Sequence, residues 1–508
     1  MLPKVTMSTL ELTVFLAYSS LLLVLSLYGS HRIWMVYLHY RHKYRLATPA
    51  GRFAELPRLT VQLPMFNELY VAERVIDAAC ALEYPRQKLE IQVLDDSTDE
   101  TQGIARACVE RWRARGVDVV YLHRTDRKGF KAGALEHGLA TARGEFVAIF
   151  DADFLPPTDY LLRCVHHFTD PRVAVVQARW GHLNRNHSLL TRAQAIFLDG
   201  HFLVEHSARN RSGRFFNFNG TAGIWRLAAI RDGGGWQHDT LTEDLDLSYR
   251  TQLKGWRFVY LPDVVTPAEL PEDMNAFKTQ QHRWAKGSIQ TALKLWPLLR
   301  QAKLSPEDRK EAFFHLTANL AWVVMIPLAI LLPISCVVRV SHGWFEVLLV
   351  DLPFSTMATL SVLMFYAVSQ AEQGAGWWDR VKLLPFVMAL GIGLSVNNAR
   401  AVFEALMGYE TGFARTPKAG VGGPAAAPKK RRGYRTAATF QPLVELALAA
   451  YMTYGVVYLL ERRVYYSVPF LVLFQVGYGY VALVSIYEGL RGTVVRWARV
   501  LVPARTAE

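Results

Sequence analysis

Two parts of this chain are written for different solvents. Residues 310–490 are dominated by apolar runs long enough to cross a bilayer, whereas residues 50–300 read as an ordinary soluble α/β protein. In lipid every backbone polar group must be satisfied internally, so such runs fold as helices. The length of 508 residues leaves room for about two or three domains.

The first run, Ser8–Gly29, is long enough for a spanning helix. It is too long for the apolar core of a signal peptide and shows no small-residue cleavage site. It ends in the basic stretch SHRIWMVYLHYRHKYR. The positive-inside bias makes that side cytosolic, so the N-terminus faces out and the soluble region is cytosolic. Phe313–Val340 and Trp344–Gln370 then form a hairpin, and Phe440–Leu460 and Ser467–Leu490 form a second. Between them Leu383–Met407 is interrupted by Asn397, Asn398, Arg400 and Glu404. Polar groups at membrane depth are tolerated only beside protein or water. We therefore expect five spans and one interfacial or re-entrant segment. The basic loop with KKRR at 429–432 and the C-terminus are then cytosolic, with Arg462 and Arg463 outside. The Gly/Ala/Pro run at 419–428 reads as a mobile loop.

The formal net charge is +13. With these apolar runs it points to an anionic membrane surface or phosphorylated substrates, not nucleic acid, since no interleaved basic–aromatic platform is present. Cys80, Cys108, Cys164 and Cys336 show neither metal-ligand spacing nor a disulfide framework, and read as buried free thiols.

In the soluble region LTVQLPMFNE (59–68), EIQVLDDST (90–98), VDVVYLHR (117–124) and EFVAIFDAD (145–153) are strand-like. Helical patterns alternate with them, which predicts a mostly parallel sheet covered on both faces. Ligands of such sheets bind beyond the C-terminal strand ends. Two strand-like stretches carry acids there: Asp95-Asp96 and Asp151-Ala152-Asp153. A D-x-D pair suits a hard divalent ion on a diphosphate; loop capping explains either pair taken alone. In RKGFKAGAL (127–135) Lys128 and Lys131 are candidates to neutralise phosphate, and a Gly-rich turn with solvated lysines is as common. In TLTEDLDLSYR (240–250) Glu243 and Asp244 open a helix pattern, where N-terminal capping and a general base weigh equally.

The ordered set Asp95-Asp96, Asp151-Ala152-Asp153, Thr242-Glu243-Asp244 and Gln280-Gln281-His282-Arg283-Trp284 resembles the membrane-embedded family 2 glycosyltransferases, which include cellulose, hyaluronan and mannan synthases. The form QQHRW, with FNFNGTAGIWR (216–226), is most similar to the cellulose-synthase-like mannan and glucan synthases. The resemblance covers roughly residues 55–420. It implies an α/β GT-A fold over 50–275 and a nucleotide-diphospho sugar held by Asp95, Asp96, Lys131, Asp151, Gln280 and Arg283. It implies Mg²⁺ or Mn²⁺ at Asp151 and Asp153, and Asp244 as the catalytic base. Trp284, Glu243, Asn219, Gly220 and Thr221 fall to the glycan acceptor. GFARTPKAG (412–420) is similar to a gating loop of cellulose synthases, which implies gating roles for Phe413, Thr416 and Lys418, with Arg415 and Ala419 departing from the pattern. Phe154 stands where some relatives place His, so no metal contact is expected from it.

The remaining limits are 1–49 for the first span with its flank, 276–312 for an interfacial region, 313–408 for the hairpin and interrupted segment, 409–439 for the basic loop, and 440–508 for two spans and a tail. From Phe277 to Leu299 the apolar residues Phe277, Trp284, Ile289, Ala292, Leu293, Trp296 and Leu299 are flanked by Lys278, Arg283, Lys286 and Lys294. That is the pattern of an amphipathic helix lying on the bilayer. Arg283 can clamp a diphosphate and the Trp284 indole offers a platform for a sugar ring; interfacial anchoring is the plainer role for both.

The reading is an inverting hexosyltransferase of a bacterial inner membrane with a cytosolic active site. It extends a β-glycan from GDP-mannose or UDP-glucose and exports the chain through its own helices. The alternative is non-processive transfer to a membrane lipid. A scaffold with a dead transferase domain fits poorly with the intact acidic set. Whether export takes a partner subunit is not decided by the residues.

Overall fold

The structure, a computed structural model, describes residues 8–342, 344–410, 412, 418, 420, 440–465 and 467–501. Phe413, Thr416, Arg415, Ala419 and the basic run 429–432 lie outside them, as does all but Gly420 of the stretch 419–428.

Leu59–Met65 (β1), Leu89–Asp95 (β2), Val119–His123 (β3) and Phe146–Ile149 (β4) match the four stretches singled out by sequence, with β2 starting one residue earlier. β1, β2 and β4 are buried along their whole length, as strands covered on both faces must be. Val173–His182 (β5), Gly223–Arg226 (β6) and Arg257–Ala268 (β7) complete a seven-stranded sheet of order β3-β2-β1-β4-β6-β5-β7. β1 runs parallel to β2 and β4, β2 to β3, and β5 to β7. β6 runs antiparallel to β4 and β5. The mostly parallel expectation holds with one reversal. The strand order changes direction between β1 and β4, beside which Asp151 and Asp153 emerge, and a crevice opens there.

None of the four cysteines is in a disulfide. Burial pushes the thiols of Cys80, Cys108 and Cys164 up to about 12, which leaves them inert.

Five helices among the described residues are long and apolar enough to cross a membrane: Thr9–Arg41, Leu320–Val338, Pro353–Glu372, Gln441–Glu461 and Val468–Leu490. They fit a multi-pass membrane protein. Trp377–Gly393 and Ser395–Leu406 pass the same test only as a pair, bent by 41°.

The first helix differs from expectation. It continues through the basic flank to Arg41. Past Ser30 the flank holds neither Gly nor Pro, and Trp34, Met35 and Leu38 recur at helical spacing. These residues pack with Leu190, Ile196, Phe277, Phe365 and Leu390. The hairpin also begins later. Phe313 and Phe314 belong to the separate helix Pro306–Thr317, capped by Ser305, and the spanning helix starts at Leu320.

Candidate active site

A cleft of about 200 Å³ lies beyond the ends of β1 and β4. Asp96, Lys131, Asp151, Asp153, Asn219, Gly220, Glu243, Asp244, Gln280, Arg283, Trp284 and Lys418 line it. Residues spread over more than 300 positions of sequence thus share one concavity. β4 delivers the D-x-D pair. The Asp151 N–H is pinned by Thr221 Oγ1 at 2.9 Å. Lys131 Nζ donates to Asp151 Oδ1 (2.5 Å) and to the Gly220 carbonyl (2.9 Å). Lys418 Nζ donates to Asp153 Oδ2 at 2.6 Å.

Glu243 and Asp244 form the first turn of the helix Glu243–Leu253, whose N-cap is Thr242. Neither acid is the capping residue, so the capping explanation is not realised. Asp244 Oδ1 accepts from the Leu245 N–H at 2.8 Å. Gly220 has φ +79°, and a Cβ there would stand 3.0 Å from Asp244 Oδ2 and 3.4 Å from Lys131 Nζ. A side chain at 220 would crowd both the base and the lysine, which is why this position takes glycine. Burial first, then the neighbouring charge of Glu243, raises the Asp244 carboxyl to about 7, with Lys131 opposing. Burial also raises Glu243. A carboxyl poised near neutrality is suited to take a proton from a hydroxyl.

Gln280, Arg283 and Trp284 come from the long helix Met274–Gln301. Burial lowers the Arg283 guanidinium, and Glu243, Asp151, Asp244 and Asp153 act against that shift. Here the structure corrects the surface-helix expectation. Lys278 Nζ meets Glu445 at 2.6 Å, Lys286 Nζ meets Glu404 at 3.2 Å, and both lysines are buried. His282 also reaches Glu404, at 3.0 Å. Lys294 pairs with Asp239 and Asp246. Glu488 accepts from the backbone N–H groups of Met274 (2.8 Å) and Asn275 (3.2 Å). Three carboxylates from membrane-half helices therefore hold this helix. Gly287 lets it close on the transferase domain, for a Cβ there would lie 2.6 Å from Thr242. Only its far end keeps an exposed apolar face, at Leu293, Trp296 and Leu298. The interrupted segment has the same logic. Asn397 Nδ2 donates to the Lys278 carbonyl at 2.9 Å, and Glu404 serves Lys286. Asn397, Asn398 and Glu404 face protein, and Arg400, paired with Glu404, stays exposed.

Three further expectations are corrected. Asp95 is fully buried behind the cleft, its oxygens taken by the Ser97 N–H (2.9 Å) and the Tyr121 hydroxyl (2.8 Å). Thr221 is fully buried and props Asp151 instead of facing an acceptor. Lys128 is exposed and absent from the cleft wall, where Arg127 stands instead, 3.2 Å over the Phe66 ring. Asp96 does line the cleft, with its carboxylate held by Arg124.

Among the described residues no three His, Cys, Asp or Glu side chains converge as a metal cluster. Asp151 and Asp153 each hold an ammonium. Two carboxylates already matched to cations in one cleft wall would suit a hard divalent ion.

A second cavity of about 400 Å³ adjoins the cleft; Trp180, Asn219, Asp244, Gln280 and Trp284 line both. A third cavity, about 420 Å³, shares Tyr28, Arg32, Asn319 and Tyr366 with the second and lies among the membrane helices. Sequence reasoning did not find Trp180, His201 or Glu205, which line the second cavity. The His–Glu pair at i, i+4 was the available signal.

Residues 57–287 match the family described as glycosyltransferase like family 2. A probable glucomannan 4-beta-mannosyltransferase 7 of Oryza sativa subsp. japonica is 48% identical over 238 residues, covering 46% of this chain and 41% of that protein. Glucomannan 4-beta-mannosyltransferase 2 of Arabidopsis thaliana is 43% identical over 297 residues, 55% of each chain. The matched region thus spans about half the length of these curated relatives. Among solved structures, the mannosyltransferase PcManGT from Pyrobaculum calidifontis, in complex with GDP-Man and Mn²⁺, superposes with a TM-score of 0.54 at 21% identity, covering 77% of this chain and 100% of that one. That likeness shows the fold.

Proposed function

The chain carries, over residues 57–287, a family 2 glycosyltransferase domain of the mannan and glucan synthase type, and from that premise we propose that it transfers a hexose with inversion from a nucleotide-diphospho sugar to the end of a growing β-glycan. The observation that carries this reading is the position of Asp244, poised near neutrality in the wall shared by the donor cleft and the second cavity. The relatives named as glucomannan mannosyltransferases favour GDP-mannose over UDP-glucose.

Asp244 takes the proton of the acceptor hydroxyl as its oxygen attacks the sugar carbon from the face opposite the leaving diphosphate. Lys131 and Arg283 hold the diphosphate, and Trp284 carries the terminal acceptor sugar on its ring face. Asp153 with Asp151 would hold a Mg²⁺ or Mn²⁺ ion, which supplies charge neutralisation to the leaving group. Lys418 stands on Asp153 and serves as its counter-ion. The succession of three cavities with shared walls supports extrusion of the product past Arg32 and Tyr366 through the membrane helices. The basic flank of the first helix supports a cytosolic active site.

A second reading, transfer to a lipid acceptor, is favoured by the third cavity, whose walls are largely aliphatic and aromatic. Purified protein in lipid, given radiolabelled GDP-mannose or UDP-glucose, separates the two. A product that resists organic extraction and is cut by β-mannanase or β-glucanase supports the polymer. Label that passes wholly into organic solvent supports the lipid, and no transfer from either donor rejects both.

A further inference from the structure

β7 is the edge strand of the sheet, and it does not follow its neighbour evenly. Leu261 pairs with Ala178 and Val265 with Arg179, so Pro262, Asp263 and Val264 are extruded as a bulge. Such bulges bend an edge strand and recur beside functional sites. This one is pinned from two directions. Arg179 Nε donates to the Pro262 carbonyl at 2.8 Å, and Arg163 Nη2 donates to the Asp263 carbonyl at 2.9 Å. A cavity of about 270 Å³ lies between the bulge, the chain at Leu46 and Ala47 that follows the first helix, and the short helix Ser207–Arg211. It shares no lining residue with the three cavities described above.

The wall carries positive charge that the protein leaves unmatched. Arg163 Nη1 reaches Asp159 only at 3.8 Å. Arg211 is half-buried, and among the described residues no hydrogen bond or ion pair takes up its guanidinium. Burial lowers that group, and Asp263, Tyr260 and Glu372 oppose the shift. Asp263 is the one acid lining the cavity, and Glu372 is already taken by Lys43 at 2.6 Å. His167 is only 6% exposed, makes no side-chain hydrogen bond among the described residues, and has neither ring nitrogen sealed from the cavity. Burial, then the charge of His166, lowers its imidazole to about 4, so it stands neutral with one N–H to give. The rim is basic too: Arg45, Arg41 and Arg214 all act on His42, after burial, to lower it. The helix is held in place, so Arg211 finds no partner by moving with it. Arg209, two residues earlier, is buried on Glu311 at 2.8 Å, and the helix continues directly from the π-helical turn Gly200–His206, which carries His201 and Glu205. A half-buried guanidinium facing space is costly until an anion completes it.

We propose that this cavity is a second ligand site, separate from the cleft, for a small phosphate monoester of the hexose phosphate class. Arg211 and Arg163 take the phosphate oxygens through their forked N–H groups, and His167 adds a neutral donor. Asp263 opposes a bare phosphate but accepts from a hydroxyl of the group the phosphate carries. The volume falls just below the roughly 300–1,000 Å³ of pockets for drug-sized ligands, which suits a sugar phosphate better than a nucleotide sugar. None of the lining residues belongs to a spanning helix, so the ligand comes from solution and not from a lipid headgroup.

The test uses the full chain in phosphatidylcholine nanodiscs, with excess GDP and Mg²⁺ filling the cleft. Equilibrium binding of radiolabelled mannose 1-phosphate is measured, with inorganic phosphate and unphosphorylated mannose as competitors. A parallel arm adds phosphatidic acid to the nanodisc. The wild type is expected to show one saturable site, for which inorganic phosphate competes and mannose does not. Arg211→Gln should weaken it about tenfold or more, the loss of a charge-assisted hydrogen bond, and Arg163→Gln should act in the same direction. Arg283→Ala, which alters only the cleft, should leave it unchanged. If Arg211→Gln does not fold, Arg163→Gln decides in its place. Absence of saturable binding to the wild type, or unchanged affinity in the deciding variant, overturns the site. Loss of binding in Arg283→Ala also overturns it, because the probe then sits in the cleft. Competition by mannose as strong as that by phosphate overturns the phosphate chemistry, and displacement of the probe by phosphatidic acid overturns the soluble source. Each of these leaves the transferase reading standing.

Discussion

Buried charge occurs in two regions that the helix Met274–Gln301 joins, and it is handled differently in each. On the membrane side Lys278 is matched by Glu445, and Lys286 by Glu404, with both lysines sealed from solvent. On the cleft side Asp151, Asp153, Glu243 and Asp244 face Lys131, Lys418 and Arg283 around an open space. Matched pairs in a closed wall fix geometry. An acid surplus beside a cavity leaves charge to be completed by a ligand, and it helps keep Asp244 near neutrality. The contrast shows that buried ion pairs by themselves do not mark a site; surplus and space do.

The contrast breaks first at Asp153. Asp153→Asn, or excess chelator, is expected to abolish transfer while the protein stays folded; full activity in chelator would remove the divalent ion from the account.

On the other side, Lys278→Met leaves Glu445 buried and unmatched. Loss of one partner of a buried pair costs about 3–5 kcal/mol, so the melting temperature in detergent should fall sharply. Lys278→Met with Glu445→Leu should recover most of it. A double variant no more stable than the single one would show that the pair is not a closed unit.

Arg283→Ala and Trp284→Ala sharpen the cleft side. The first should weaken nucleotide binding about tenfold, and the second should stop elongation with donor affinity near normal; roles reversed in a donor-binding assay would redraw the site.

The smallest effect is in pH. A base held near 7 must be ionised to act, so kcat/KM should rise up to about pH 7 and then level. The sign for stability is opposite. The raised carboxyl keeps in the folded state a proton that the unfolded chain releases from its ordinary value of 3.8 upward, so wild-type stability falls as pH rises from about 4 to 7. Asp244→Asn should flatten that fall in melts recorded across the window.

Much of this was legible in the sequence, for local reasons. Strand patterning located β1 to β4, and the D-x-D pair at a strand end marked the crevice. Sequence could not say which of Asp95 and Asp96 faces it. Adjacent residues point to opposite faces, and Asp95 is claimed by Tyr121 from the next strand. The lysines of Met274–Gln301 looked like headgroup contacts because their partners lie 118 and 167 positions away. The polar breaks at Asn397 and Glu404 were visible, but the helix they serve was not. Trp180, His201 and Glu205 belong to no motif, and a π-helical turn has no signature that separates it from an α-helix before folding.

The most direct test sets Asp244→Asn beside Glu445→Leu and measures, for each, transfer per folded molecule and melting temperature. The account predicts a crossed result. Asp244→Asn loses about 10²–10⁴-fold in rate without loss of stability at pH 8, and Glu445→Leu loses stability while its folded fraction still transfers sugar. Asp244→Asn with near wild-type turnover, or Glu445→Leu with native stability, would contradict it.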